Sequence, residues 1–253
     1  MQLNFKKLGD SGSVVVILHG LLGSLDNWQT IAKHLSENHI VYIVDQRNHG
    51  RSPHADEMNY DILANDINEF FNEKKIVKAS VIGHSMGGKV AMLLTLQHPE
   101  LIEKLVIVDI APAFYDGGHE TILFAMAEAP LKSTERREDI DKFLHPRIID
   151  FGVRQFILKN LTRNEKGLFE WKCNFEALIL NYRKLMDFPV SDKIFTGKTY
   201  FIKGETSNYI NPDNFDACDK YFPDNKILEV KNAGHWVHAE NPAGFLEAVN
   251  AVL

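Results

Sequence analysis

Short apolar runs rich in β-branched residues punctuate the chain at 14–18 (VVVIL), 40–44 (IVYIV), 79–83 (ASVIG), 104–108 (KLVIV), 199–203 (TYFIK) and 226–230 (KILEV). Most are apolar without alternation, the pattern of strands covered on both faces in a parallel sheet. Helix-period segments separate them. Trp28, Ile31, Ala32 and Leu35 form one stripe behind an Asp26-to-Gln29 capping-box pattern. Tyr60, Leu63, Ala64, Ile67, Phe70 and Phe71 form a second. Residues 86–97 are apolar almost all round apart from Lys89, as in a helix wedged against a sheet. Asn241 before Pro242 reads as an N-cap with proline at the first helical position, opening a last helix through Phe245, Leu246 and Val249. Strand alternating with helix predicts an α/β protein with a doubly wound, mostly parallel sheet.

The rhythm fails between 113 and 189. No strand pattern is evident there, and the clearest segment, NFEALILNYRKLM, places Phe175, Leu178, Ile179, Tyr182, Leu185 and Met186 on one helical stripe. The stretch is too long for a crossover. An inserted helical cap over 113–189 on a core of 1–112 and 190–253 is the better reading, because ligand sites in such sheets lie at the carboxyl ends of the strands.

Composition narrows the function classes. Lysine and arginine number 28 against 34 aspartates and glutamates, a net charge of −6 with no basic block, so a nucleic-acid partner is not expected. MQLNFKKLGDSG has no apolar signal-peptide core and no run is long enough to span a membrane. Cys173 and Cys218 are the only cysteines; Cys218 shares a stripe with Phe215 and Phe222, as a buried hydrophobe would. A cytoplasmic protein is expected. The oligomeric state is not legible.

The candidate chemistry lies in SVIGHSMGGKVAMLL at 80–94, where Ser85 stands between Gly83 and Gly87. A G-x-S-x-G arises by chance in roughly one 250-residue chain in ten. Its surroundings therefore decide. Here a strand ends at Gly83 and a helix begins at Met86, which makes a strained elbow that needs small flanking residues and exposes the serine. A serine hydroxyl needs an imidazole base and a group to orient it. Of eleven histidines, His235 in NAGHWVHAENP is best placed, in a loop between the last strand and the last helix, on the same sheet edge as the elbow. An oxyanion needs two backbone N–H donors. Met86, directly after the serine, offers one, and Leu21 in the LHGLLGS loop the other. Asp45, Arg47, His49 and Arg51 of DQRNHGRS read as loop braces. His235 and His238 form an H-x-x-H without further ligands at metal spacing, and GHSMGGK lacks the phosphate-loop spacing.

HGLLGS, DQRNHGRS, GHSMGGK, VDIAP and GHWVHAENP follow one another in an order and spacing that resemble the α/β-hydrolase superfamily nearly end to end. Lys89 after the second glycine, together with VDIAP, is most similar to the YbfF-type esterases. The resemblance implies a helical cap over the site, a triad in the order serine, acid, histidine, no cofactor, and acyl ester or thioester substrates. It also exposes a departure. The commonest acid position, after the penultimate strand, holds Ser207. Asp109, at the end of the strand after the nucleophile, is then preferred, with Glu205 as its rival and Ser207 as a hydrogen-bonding neighbour of the pair. The pocket is expected from His19 and Gly20 in the first loop, from Phe114, Met126 and Phe175 on the cap beside Leu123 and Phe156, and from Ser207 and Trp236.

The leading expectation is a serine hydrolase that cleaves small to medium acyl esters or thioesters through an acyl-enzyme, with a small-molecule substrate as its partner. A carbon–carbon bond hydrolase, a lactonase or a cofactor-free perhydrolase would share the triad, and a ligand-binding protein could share the fold. A haloalkane dehalogenase or epoxide hydrolase would carry aspartate where Ser85 stands.

Overall fold

The structure is a computed structural model that describes residues 1–253. In chain order the first part holds β1 (Phe5–Leu8), β2 (Ser13–Leu18), α1 (Gln29–Leu35), β3 (His39–Val44), α2 (Tyr60–Lys74), β4 (Ala79–His84), α3 (Met86–Gln97) and β5 (Ile102–Val108). The chain then leaves the sheet through α4 (Glu120–Ala127), α5 (Arg137–Leu144), α6 (Phe151–Leu158), β6 (Leu161–Arg163), β7 (Phe169–Trp171) and α7 (Phe175–Met186). It returns as β8 (Thr199–Gly204), α8 (Phe215–Tyr221), β9 (Asn225–Val230), α9 (Val237–Glu240) and α10 (Pro242–Asn250).

The main sheet has the order β1-β3-β2-β4-β5-β8-β9 and is parallel throughout except for β1, which pairs antiparallel with β3. Alternate residues of the central strands feed opposite cores, as the two-residue period requires. Val16, Leu18, Val81, Leu105 and Ile107 pack with α2, α3 and the inserted helices. Val15, Ile17, Ile82, Val106 and Val108 pack with α1 and α10. With helices on both faces, all six residues of β4 are buried, so its run carries no polar alternation.

Two local expectations need correction, and one strand had gone unread. The insert is not purely helical, because β6 and β7 pair as a small antiparallel hairpin. Their three-residue length is too short to leave an alternation in the sequence. The Asp26-to-Gln29 capping box does not form: a 3₁₀ turn spans Leu25–Asn27, and Asn27 Oδ1 accepts from the Ser24 N–H at 2.8 Å. Gln29 instead donates its side-chain amide to Asp26 Oδ1 at 2.7 Å. Edge strand β1, half exposed and only four residues long, left no readable run. No helix is long and apolar enough to cross a membrane.

Candidate active site

Ser85 follows the central strand β4 directly and is the residue before α3. Its backbone sits at φ 51°, ψ −119°, a region non-glycine residues rarely adopt, held by a 3.0 Å hydrogen bond from its N–H to the Val108 carbonyl. The flanking glycines follow from crowding. A Cβ on Gly83 would stand 2.3 Å from the Gly87 carbonyl oxygen, and one on Gly87 would stand 2.5 Å from the Leu18 and His19 carbonyl oxygens.

His235, in the loop after β9, meets this serine: its Nε2 lies 3.0 Å from Ser85 Oγ. Its Nδ1 lies 2.8 Å from Oδ2 of Asp109, the residue directly after β5. Asp109 is wholly buried at φ 52°, and its N–H donates to the Ile202 carbonyl on β8 at 2.9 Å. Oδ1 accepts from the Gly204 N–H at 3.1 Å, and Oδ2 also accepts from the Ser207 hydroxyl. Glu205 is elsewhere, paired with Lys231 at 3.0 Å and accepting from the Asn232 N–H at 2.8 Å. The Tyr209 ring stacks on His235 with centroids 3.9 Å apart. Behind it, His84 Nε2–H donates to the His235 carbonyl at 2.8 Å, and burial holds His84 well below the usual imidazole range, hence neutral.

The first loop is braced from below. His19 Nδ1–H donates to the Gly20 carbonyl at 2.8 Å, while its Nε2 accepts from the Gln46 N–H at 3.0 Å. Burial pushes His19 down to about 4 and His49 to about 3. His49 Nε2 accepts from the Leu22 N–H at 3.2 Å, Asp45 accepts from the Leu25 and Arg51 N–H groups, and Arg47 clasps Asp66 through two bonds of 2.5 and 2.8 Å. Leu22 takes φ 59°, and the Leu21 N–H is left with no protein acceptor. The Met86 N–H opens α3, where no earlier turn supplies one.

Two cavities meet at Ser85. The first lies towards Tyr60, Lys89, Ile110, Tyr115, Leu185 and Tyr209. The second lies towards Ile122, Val153, Phe156, Ile157, His235 and Trp236. Leu21 and His119 border both, and Gly20 the second. Several expected pocket residues are not here. His19 lines neither cavity because its ring is used beneath the loop. Ser207 is bound to Asp109 instead. Phe114 is 60% exposed, and Met126 and Phe175 line a separate outer groove with Trp171, since their stripe faces other cap elements. His238 stacks flat on Trp28 at 4.1 Å.

Sequence reasoning missed Lys89, His119, Tyr115 and Tyr209. Lys89 Nζ donates to three carbonyls, of Ala113 at 2.8 Å and of Met186 and Asp187 at 2.9 Å, tying both chain ends of the insert to α3. For His119 a signal was present: Gly117 and Gly118, both at positive φ, precede it and turn the chain back towards the serine.

The model of the alpha/beta hydrolase fold family matches residues 13–155. The sn-1-specific diacylglycerol lipase ABHD11 of Mus musculus is 38% identical over 247 residues, covering 94% of this chain and 80% of its own. Esterase YbfF of Escherichia coli strain K12 is 35% identical over 246 residues, covering 96% and 94%. A solved structure titled "Marine microorganism esterase" superposes with a TM-score of 0.98 at 39% identity, covering 100% of this chain and 99% of that one. The chain belongs to the α/β-hydrolase fold family. Within it, its place is among the carboxylic ester hydrolases, beside the YbfF-type esterases.

Proposed function

We propose that this ester hydrolase works through Ser85 as nucleophile, His235 as general base and acid, and Asp109 as the orienting carboxylate. The observation that carries the reading is the unbroken line of 3.0 and 2.8 Å contacts from Ser85 through His235 to Asp109, at the junction of two cavities. Asp109 holds the proton on Nδ1, which leaves Nε2 free to take the Ser85 hydroxyl proton as Oγ attacks the acyl carbonyl. The Leu21 and Met86 N–H groups, which have no competing acceptor in the protein, are the donors for the oxyanion. His235 then returns its proton to the leaving oxygen or sulfur, and water attacks the acyl-enzyme by the reverse path.

The leaving group must face the histidine that protonates it. His235 lines only the second of the two cavities, so the acyl chain takes the first and the leaving group the second. The first closes on Tyr60 and Lys89, a floor that suits small to medium acyl groups. The helical insert roofs both. Two unpaired buried thiols suit a reducing cytoplasm.

A fluorophosphonate probe should label Ser85 stoichiometrically and leave Ser85→Ala unlabelled. Turnover of p-nitrophenyl esters of rising acyl length, run beside acyl thioesters, should peak at short to medium chains. Ester turnover by Ser85→Ala near the wild-type rate would sink the assignment.

A further inference from the structure

We infer that His119 is a specificity-determining residue: its Nε2–H donates to the bridging oxygen of the bound ester, so that the enzyme favours oxygen esters over thioesters. The inference rests on the serine-hydrolase reading above and narrows the substrate class of that same site. Ser85, Leu21 and His119 border both cavities, and of the three only His119 comes from the insert. An ester laid across Ser85, with its acyl chain in one cavity and its leaving group in the other, passes His119 at the bond to be broken.

The imidazole is held for such a contact. The His119 backbone N–H donates to the hydroxyl of Tyr182, a buried residue of α7, at 3.0 Å. The turn before it is tied down as well, by the Tyr115 N–H on the Met186 carbonyl at 3.0 Å and by the Gly118 N–H on Glu120 Oε2 at 2.9 Å. His119 Nδ1 at 3.4 Å and Glu120 Oε2 at 3.5 Å are the acceptors within reach of the Tyr182 hydroxyl. His119 Nε2 has no partner in the protein, and it is not sealed away from the cavities that the residue borders. Burial, reinforced by His235 nearby, pushes His119 down to about 4, so the ring is neutral and carries one proton. An ester offers only acceptors at its reacting centre, and its carbonyl oxygen goes to the Leu21 and Met86 N–H groups. The bridging atom is what remains. Nε2 then carries the ring proton, and Nδ1 accepts that of the Tyr182 hydroxyl. His119 keeps its proton throughout, because His235 is the group that protonates the leaving atom. Its hydrogen bond strengthens as negative charge gathers on the bridging oxygen. Sulfur is a weak acceptor and gains little from the same donor.

The purified protein is given ethyl butyrate and its sulfur analogue S-ethyl thiobutyrate, with butyric acid release followed in a pH-stat. His119→Leu should lower kcat/KM for the oxygen ester by about five- to tenfold, the worth of one hydrogen bond, and for the thioester by no more than about twofold. His119→Gln, whose amide can place an N–H where Nε2–H stood, should recover most of the preference. Tyr182→Phe removes the hydroxyl that fixes the tautomer and should shift the ratio of the two substrates in the same direction as His119→Leu, by less. Equal losses on the two substrates, or no loss on either, would make His119 only a wall of the site and overturn the assignment. If His119→Leu does not fold, Tyr182→Phe decides, since an unmoved ratio there overturns it too. Fluorophosphonate labelling of Ser85 uses no bridging ester oxygen and should persist in these variants. Its absence from the wild-type protein would instead overturn the serine-hydrolase reading, and this inference with it.

Discussion

Ser207 and His235 share one oxygen of Asp109: the serine hydroxyl donates to Oδ2, and the His235 Nδ1–H reaches the same atom at 2.8 Å. The remaining oxygen is taken by the Gly204 N–H. Removing the charge at Asp109 should therefore leave the loops in place and spoil only the tautomer. Asparagine also tolerates the positive φ found there. Asp109→Asn is expected to melt near wild type yet lose about 10⁴ in kcat, while Glu205→Gln stays within about tenfold and Ser207→Ala falls between. An active Asp109→Asn beside a dead Glu205→Gln would put the acid on the wrong strand.

Glycine substitutions around the elbow should separate folding from catalysis. Gly83→Ala drives a methyl to 2.3 Å from backbone that cannot yield, and is expected to give insoluble protein. At Gly20 the methyl meets His84 Nδ1 at 2.9 Å and Ser85 Cβ at 3.2 Å, which shifts the loop carrying the Leu21 N–H. Gly20→Ala should fold and lose up to about 10² in kcat with little change in KM, the signature of a displaced oxyanion donor. Equal loss through KM would point to a binding defect.

Cap residues should divide by the cavity they face. Leu185→Ala lengthens the first cavity and is expected to move the best p-nitrophenyl ester to a longer acyl chain. Phe175→Ala, on the outer groove, should leave that preference where it was. The reverse result would mean the acyl chain runs into the outer groove beside Phe175.

Burial pushes the Lys89 ammonium down to about 7. Between pH 7 and the unfolded value of 10.5 the unfolded chain binds more protons than the folded one, so this lysine makes stability rise with pH across that window. Lys89→Met loses the dependence, and it leaves three carbonyls without their donor. Thermal melts at pH 7, 8.5 and 10 should show the variant less stable than wild type, by a margin that widens with pH. A constant margin would mean that Lys89 stays charged throughout.

The strands were legible because a sheet covered on both faces leaves unbroken apolar runs, and the six read from the sequence all lie in the sheet. Ser85 and His235 were legible because their place, at the end of a strand before a helix, is set by local order. Asp109 needed the argument that Ser207 cannot carry charge. What escaped depends on contacts across the chain. A helical stripe says that Met126 and Phe175 are turned inwards, but not towards which neighbour, and their neighbours proved to be other cap elements. Lys89 read as the one charge on an apolar helix; its three acceptors lie 24 or more residues away.

Ser85 and Asp109 both sit in backbone conformations that the chain alone does not favour, and each is held by the strand that comes next in the sheet. Ser85 is bonded to Val108 on β5, and Asp109 to Ile202 and Gly204 on β8, before His235 arrives after β9. The line from Ser85 through His235 to Asp109 is thus completed last. A nascent chain that has emerged as far as α3 already carries every atom of the elbow, but it must wait for the final quarter of the polypeptide before His235 can meet Ser85. Under the role proposed for Ser85, the order of synthesis thus makes the base the last part of the site to emerge.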